Sequence, residues 1–436
     1  MKIKINYKNQ IIKKLIKKNT TIGIIGLGYV GLPLAILFAK KKFKVIGFDT
    51  DTKKINKIKK KISYIERISS KNIVLLSKNN NCFSNFKNIK HCDILIICVP
   101  TPLTKANKPD LSYIRKTIIL IKSKLKYGQT IILESTSYPG TTEEEIINKL
   151  DKKFIVGTNI FVGFSSERIN PGVNENNLQT IPKVVSGYSK NCLEIVSKIY
   201  SKVFDKVVKT KNLQIAEFSK LLENIYRAVN IGFINEMKLV ADKMGIDIFE
   251  ILKIASTKPY GFRRFNPGPG IGGHCIPIDP HYLYWKAKKV GISANFIKLS
   301  AETNSKVINF IHSKIFKIIK KKKIKNAKIL ILGLAYKKNM DDIRESASLK
   351  IIEKLYKNRL NNISYFDPHI KNQLFNKNFK NLKSIKRISS SKIKKFDIVI
   401  LMTDHDVFDY KMLLKYSKAI IDCRGRYKIN EKVIRA

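Results

Sequence analysis

The feature that most constrains this chain is Gly26-Leu27-Gly28-Tyr29-Val30-Gly31, a G-x-G-x-x-G between a short apolar run, residues 21–26 (TIGIIG), and a segment of helical spacing. The first glycine permits a tight turn, the second lets backbone approach a pyrophosphate, and the third lets the helix pack closely on the strand. A helix starting there offers free N–H groups and its positive dipole end to an anion. The triplet alone is a common pattern. Asp49 sharpens it, closing a second apolar run, residues 44–49 (KVIGFD), roughly 20 positions after Gly28. A carboxylate there accepts from a ribose 2′-hydroxyl and repels a 2′-phosphate. The expected cofactor is therefore NAD rather than NADP, held by Gly26, Gly28, Tyr29, Val30, Gly31 and Asp49.

The run at residues 93–99 (DILIICV) reads as a further strand, with Lys-rich helical stretches before it. Strand signals recur at 130–133, 161–164 and 183–186. Such alternation predicts βαβ units and a parallel sheet. Val99-Pro100-Thr101-Pro102 ends the strand at 93–99, where it either lines the ligand crevice or forms a strained turn. At residue 328 the pattern restarts with KILILG, followed by ISYFD at 363–367 and FDIVILM at 396–402. The restart lacks the full glycine triplet, so a second dinucleotide is not expected there. Residues 213–244 and 294–320 carry long helical periodicity, with a Gly/Pro-rich loop at 259–280 between them.

At 436 residues the chain exceeds one ordinary domain. The expected architecture is α/β, two Rossmann-like doubly wound domains joined by a long central helical segment. The boundaries read as a basic, helical extension over 1–19, an NAD-binding domain over 20–211, a central helical and dimerisation segment over 212–323, and a second Rossmann-like domain over 324–436. The dimer is expected from the length and apolarity of the middle segment.

The formal charge of +52 raises the question of nucleic acid. The lysines, however, are spread along the chain among Ile and Asn, as an A/T-rich coding sequence dictates. No basic block is interleaved with aromatics, so no specific nucleic-acid partner is expected. No apolar run approaches the roughly 18 residues of a membrane span, and residues 1–20 lack the apolar stretch of a secretion signal, so no membrane partner and a cytoplasmic location are expected. Six cysteines show no paired C-x-x-C spacing, which argues against structural zinc and a disulfide framework; no metal is expected.

The loop Phe265-Asn266-Pro267-Gly268-Pro269-Gly270-Ile271-Gly272-Gly273-His274-Cys275 concentrates the chemistry. Its glycines let backbone wrap a ligand. Cys275, beside His274 and four residues before Asp279, reads as an activated nucleophile with an acid–base group nearby, or as a structural cysteine. A thiol has a definite use in a dehydrogenase, because oxidation beyond an aldehyde needs a group that adds to its carbonyl. Lys220 and Asn224, four residues apart, share a helix face. They either stabilise an oxyanion or are a solvated lysine with a polar neighbour.

Several ordered motifs carry a resemblance over roughly residues 20–430: GLGYVGLP at Gly26, VPTP at Val99, ESTSYPG at Glu134, SSERINPG at Ser165, EFSKLLEN at Glu217, NPGPGIGGHCIPIDP at Asn266, LAYKKNMDDIRES at Leu334 and DCRGR at Asp422. Together they resemble the UDP-glucose/UDP-N-acetylhexosamine 6-dehydrogenases. The resemblance implies two Rossmann-like domains joined by long central helices that dimerise, giving a homodimer or higher homo-oligomer. It implies Cys275 as the thiol nucleophile and Lys220 and Asn224 as the groups that steady the oxyanion. Asp279 with Thr136 holds the water or proton near the reacting carbon, and Glu167 serves in thioester hydrolysis. Lys54 lies near the adenosine side, and Thr101 and Arg344 are cofactor contacts. The UDP portion falls to Gly272, Gly273, Tyr336 and Lys337, with charge from Arg263, Arg264 and Arg424.

The substrate that the resemblance implies is a UDP-N-acetylhexosamine, foremost UDP-GlcNAc, oxidised through four electrons for surface polysaccharide such as O-antigen or capsule. UDP-glucose enzymes commonly read NPEF followed by Glu-Gly, whereas this chain has Glu167-Arg168-Ile169-Asn170-Pro171-Gly172, and it has His274 where they often have Ser. Three alternatives compete with this reading. A UDP-glucose 6-dehydrogenase is disfavoured by the pattern at Glu167. A two-electron hydroxy-acid dehydrogenase leaves the Cys275 loop unexplained, and a basic nucleic-acid-binding protein with a vestigial Rossmann fold lacks the motifs.

Overall fold

The computed structural model describes residues 5–65, 68–77, 81–168, 175–370, 379 and 382–436. The chain forms two compact units, Met1–Glu223 with Trp285–Val290, and Asn224–Tyr284 with Gly291–Ala436.

The first unit is built on eight strands, β1 (Thr21–Ile25), β2 (Lys44–Phe48), β3 (Cys82–Phe83), β4 (Ile94–Ile97), β5 (Thr130–Leu133), β6 (Phe161–Phe164), β7 (Lys183–Gly187) and β8 (Val207–Lys209). Their order is β3-β2-β1-β4-β5-β6-β7-β8. Neighbours run parallel except β7, which is antiparallel to β6. Helices cover such a sheet on both faces, so its inner strands are continuous apolar runs: ILII in β4 is buried at every residue. The helix Gly31–Lys40 buries Leu32, Leu34, Ala35 and Phe38, filling one layer.

The basic N-terminal segment enters this core. Its helix, Tyr7–Ile16, is capped by the Asn6 side chain, which accepts from the Asn9 N–H. Ile11 and Leu15 are buried with the β-sheet core, each worth about 2 kcal/mol of transfer free energy. Lys8 pairs with Glu194 at 3.0 Å. Lys13 and Lys14 therefore face water, while Ile11 and Leu15 hold the helix in place.

The second unit carries six strands, β9 (Ile329–Leu332), β10 (Ile363–Phe366), β11 (Lys383–Ser384), β12 (Ile398–Leu401), β13 (Ile420–Asp422) and β14 (Val433–Arg435), in the order β11-β10-β9-β12-β13-β14. All pairings are parallel. Both sheets thus carry the Rossmann order, with β7 and β8 added to the first, and the α/β class read from the patterning holds. A 31-residue helix, Leu213–Lys243, runs from the first unit into the second, and a 27-residue helix, Asn295–Lys321, packs Val307, Ile311 and Ile315 into the second core. Among the described residues, no helix is long and apolar enough to cross a membrane.

Candidate active site

In the first unit the glycine turn follows β1. Gly26 sits at φ 91° and donates to the Phe48 carbonyl at 2.7 Å. A Cβ at Gly26 would fall 2.5 Å from the Cys98 carbonyl oxygen, and one at Gly31 would fall 1.8 Å from that of Gly26. These two glycines are dictated by the chain itself. Gly28 is different: a Cβ there meets nothing within 4 Å, which leaves open space in front of the helix that Val30 precedes. Tyr29 is exposed beside it. The Asp49 carboxylate accepts from the Leu27 N–H at 2.8 Å and the Asp51 N–H at 2.9 Å, and Lys54 Nζ lies 3.1 Å from it. Open space at Gly28, helix N–H groups and a carboxylate beyond β2 fit NAD. Thr101 is buried just past β4, where the Ser135 hydroxyl secures the turn by donating to the Val99 carbonyl at 2.7 Å.

At the carboxyl ends of β5 and β6 lies a group of buried charges. Because β7 runs against β6, its first residue, Lys183, arrives at that same edge. Lys183 Nζ is 2.5 Å from Glu134 Oε1 and 3.5 Å from Glu167 Oε2. The Tyr200 hydroxyl donates to the other Glu134 oxygen at 3.1 Å. Burial pushes Glu134 up to about 7 against the pull of Lys183. Burial acts to lower the Lys183 ammonium, but Glu134 and Glu167 outweigh it and the net shift is upward. The Glu167 backbone is followed by Arg168, which grips Glu223 through Nε at 3.2 Å and Nη2 at 2.6 Å. Thr136 is half-buried two residues beyond Glu134. Residues Ile169, Asn170, Pro171 and Gly172 of the SSERINPG motif lie outside the described residues.

The long helix carries the next groups. Glu217 accepts from the Gly140 N–H at 2.5 Å and from the Thr142 N–H and hydroxyl at 2.8 and 2.7 Å, so two quoted motifs, EFSKLLEN and ESTSYPG, are bonded to each other. Burial raises Glu217 to about 7. Lys220 and Asn224 follow on one face, and both are buried, so neither is a solvated surface group.

In the second unit the Asn224 amide donates to Asp279 Oδ2 at 2.5 Å. The Asp279 N–H donates to the Cys275 carbonyl at 2.9 Å, and a turn at 275–278 leads into the helix Asp279–Lys289. Cys275 is exposed; Cys82, Cys92, Cys192 and Cys423 are buried and Cys98 is half-buried. Burial, reinforced by Arg344, lowers His274 and keeps its imidazole neutral. The glycine loop is fastened along its length. Asn235 accepts from the Gly268 N–H at 3.0 Å, and Lys238 donates to the Gly268 carbonyl at 3.1 Å. The Gly273 N–H donates to the Arg344 carbonyl at 2.9 Å. Gly272 and Gly273 lie against Tyr336: a Cβ would come within 2.5 and 2.9 Å of its side chain. Arg344 itself is clamped on Asp342, Nη2 to Oδ2 at 2.6 Å. Arg424 lies beside Gly268 and donates from Nε to the Met402 carbonyl at 2.6 Å. Lys337 is half-buried next to Tyr336. Arg263 and Arg264 are exposed, and Arg264 Nε donates to Asn266 Oδ1 at 2.9 Å.

The structure thus joins Asp49 with Lys54, Asn224 with Asp279, and Gly272 and Gly273 with Tyr336 and Arg344. Motif reading assigned no role to Glu134, Lys183, Glu217, Asn235 or Lys238. The available signal was a charged residue at the edge of an apolar strand, as in ILES and KVVSG, where solvation alone does not explain it.

Family models match almost the whole chain. The UDP-glucose/GDP-mannose dehydrogenase NAD binding domain matches residues 20–204, the central domain 214–306 and the UDP binding domain 330–429. The chain is 36% identical to protein CapL of Staphylococcus aureus, covering 93% of this chain and 96% of that one. It is 35% identical to a UDP-N-acetyl-D-glucosamine 6-dehydrogenase of Pseudomonas aeruginosa, over 81% of this chain and 84% of that one. Among solved structures, a UDP-D-ManNAc dehydrogenase from Pyrococcus horikoshii is similar with a TM-score of 0.84 at 29% identity, covering 95% of this chain and 98% of that chain.

Proposed function

The chain belongs to the UDP-glucose/GDP-mannose dehydrogenase family, and on that premise we propose that it is a cytoplasmic enzyme oxidising the C6 hydroxyl of a UDP-N-acetylhexosamine, foremost UDP-GlcNAc, to the uronic acid for surface polysaccharide. It is an NAD-dependent oxidoreductase of nucleotide sugars. The observation that carries the reading is the exposed Cys275 thiol at the end of a glycine loop whose backbone is bonded to Arg344 of the UDP-binding domain.

NAD, when bound, supplies the hydride acceptor for both oxidation stages. The chain's own residues do the rest. Cys275 Sγ adds to the C6 aldehyde to give a thiohemiacetal, whose oxidation leaves a thioester on the sulfur. Lys220 and Asn224 are assigned to the developing oxyanion; an ammonium and an amide kept from solvent cost little reorganisation. Asp279, oriented by Asn224, with Thr136, holds the proton or water near the reacting carbon. Glu167 is the base for thioester hydrolysis. Lys54, Thr101 and Arg344 are assigned to the cofactor. Gly272, Gly273, Tyr336, Lys337, Arg263, Arg264 and Arg424 are assigned to UDP, arginine suiting a diphosphate by its fork of donors.

The N-acetylhexosamine reading is supported by Glu167-Arg168 in place of the UDP-glucose pattern and by the Pseudomonas aeruginosa relative. UDP-ManNAc is the second reading, favoured by the Pyrococcus horikoshii likeness. A homodimer is supported by Phe218, Leu222, Tyr226, Phe233 and Val240, which form an exposed apolar row on one face of the long helix. The test is stoichiometric. Purified protein is offered UDP-GlcNAc, UDP-ManNAc, UDP-GalNAc and UDP-glucose, and NADH is counted against sugar consumed. Two NADH per UDP-GlcNAc is expected; one, or preference for UDP-glucose, overturns the reading.

A further inference from the structure

Lys183 is a single cation shared by two carboxylates. Its ammonium contacts Glu134 at 2.5 Å and Glu167 at 3.5 Å, and it is almost wholly shielded from water. The rings of Tyr200 and Phe204 face it at 5.4 and 5.2 Å. Removing an ion from water costs several kcal/mol, so such a group persists only where its partners hold it. Glu134 is the inner partner: fully buried, with its second oxygen taken by the Tyr200 hydroxyl. Glu167 is the outer one, with 12% of its side chain exposed, and its other oxygen accepts from the Arg168 N–H at 2.6 Å. One carboxylate is thus spent on anchoring the cation, and the other meets solvent. The antiparallel course of β7 makes this possible, since a parallel strand would place residue 183 at the opposite edge of the sheet.

We propose that Lys183, anchored by Glu134, is a positioning residue that holds the Glu167 carboxylate aimed, so that Glu167 serves as the base in thioester hydrolysis. The inference rests on the reading of Glu167 and Cys275 given above. In that step a water O–H bond breaks, its proton passes to Glu167, and the oxygen bonds to the thioester carbon. The C–S bond then breaks, the carboxylate product leaves, and the Cys275 thiolate recovers a proton from Glu167 or solvent. No electrons are exchanged. The groups that face Lys183 are Glu134 from the end of β5, Glu167 beyond β6, and Cys98 beyond β4, whose thiol burial and Glu134 keep protonated; Tyr200 faces Glu134 from the helix Lys190–Tyr200.

The test uses the full-length enzyme with NAD and UDP-GlcNAc or UDP-ManNAc, comparing Lys183→Met, Lys183→Arg and the double variant Lys183→Met with Glu134→Gln. Lys183→Met leaves Glu134 buried without its cation, so the double variant, which removes both charges, keeps the question open to measurement if the single one does not fold. Expected for the Met variants is a burst of two NADH per site, followed by turnover slowed roughly 100-fold with KM little changed. The acyl–enzyme should accumulate as an intact-mass adduct on Cys275. Lys183→Arg should restore most of the rate and abolish the adduct. A folded double variant that turns over within threefold of the parent, or that slows without an adduct, overturns the inference. A parent enzyme that releases fewer than two NADH per sugar overturns the underlying reading instead.

Discussion

The Leu27 N–H and the Asp49 carboxylate lie 2.8 Å apart, so the residue expected to receive a ribose also fastens the glycine turn. Asp367 repeats the arrangement in the second unit, accepting from the Leu334 and Ala335 N–H groups at 2.7 and 2.8 Å beyond Gly333 at φ 85°. The shared device shows that such an aspartate earns its place structurally even where no glycine triplet follows.

Asp49→Asn keeps an acceptor for the turn and removes the negative charge. The preference for NAD over NADP should fall by at least roughly 10-fold in kcat/KM, chiefly through a lower KM for NADP. Unchanged discrimination in initial-rate measurements with both cofactors would refute the role given to this carboxylate.

Cys275→Ser should reduce steady-state NADH production by roughly a thousandfold or more while UDP-sugar binding, read by calorimetry, stays within a few-fold. Retention of full activity would remove the thiol from the mechanism.

Asn224→Ala deprives Asp279 of its amide donor and, on the proposed mechanism, the oxyanion of one stabilising group. A drop in kcat of roughly 100-fold with little change in either KM is expected, the size seen when one oxyanion donor is lost. A change confined to KM would reassign Asn224 to substrate binding.

Gly273→Ala places a methyl 2.9 Å from the Tyr336 ring at a residue with φ 90°. The strain should cost about 1–3 kcal/mol of stability and raise the KM for the UDP-sugar, while the KM for NAD stays put. Thermal melts and paired KM values decide it.

Glu217 has its carboxyl raised from 4.5 to about 7 by burial, with Thr142 and Gly140 pulling the other way. The folded chain therefore binds a proton more tightly than the unfolded one between those values, and stability falls as pH rises through that window. Glu217→Gln retains one of the two acceptor oxygens without ionising. Urea midpoints for parent and variant should diverge between about pH 5 and about pH 8, the variant gaining on the order of 2–4 kcal/mol relative to the parent. A difference independent of pH would contradict this.

Much of the fold was legible in the chain because long apolar runs bounded by glycine or charge announce buried parallel strands. The runs at 21–26, 44–49, 93–99, 130–133 and 161–164 contain β1, β2 and β4 to β6, the run at 183–186 covers all but the last residue of β7, and those at 328, 363 and 396 contain β9, β10 and β12. The short strands β3, β8 and β11, of two or three residues, offer too little pattern to stand out. Strand direction is equally silent, since KVVSG reads the same whether β7 runs with β6 or against it. The Lys183–Glu134 pair was hidden for that reason: 49 positions separate the two, and only the reversed strand brings them together. That Cys275 stands outside the core was legible, because a glycine-rich loop offers the thiol no apolar packing. The fastening of that loop by Asn235 and Lys238 was not, because both read as ordinary members of an amphipathic helix.

Three glycines in one hexapeptide answer to two different masters. At 26 and 31 any side chain would collide with the protein's own carbonyl groups, so the demand for glycine is internal and is enforced whenever the chain folds. At 28 nothing in the protein objects to a methyl group, and on the proposed NAD site the constraint comes from the ligand. Alanine at 28 is therefore a way to uncouple foldability from ligand occupancy: a well-packed protein with its dinucleotide doorway blocked. Such a variant would be a proper blank against which any activity of the remaining surface, including retention of the UDP-sugar alone, can be weighed.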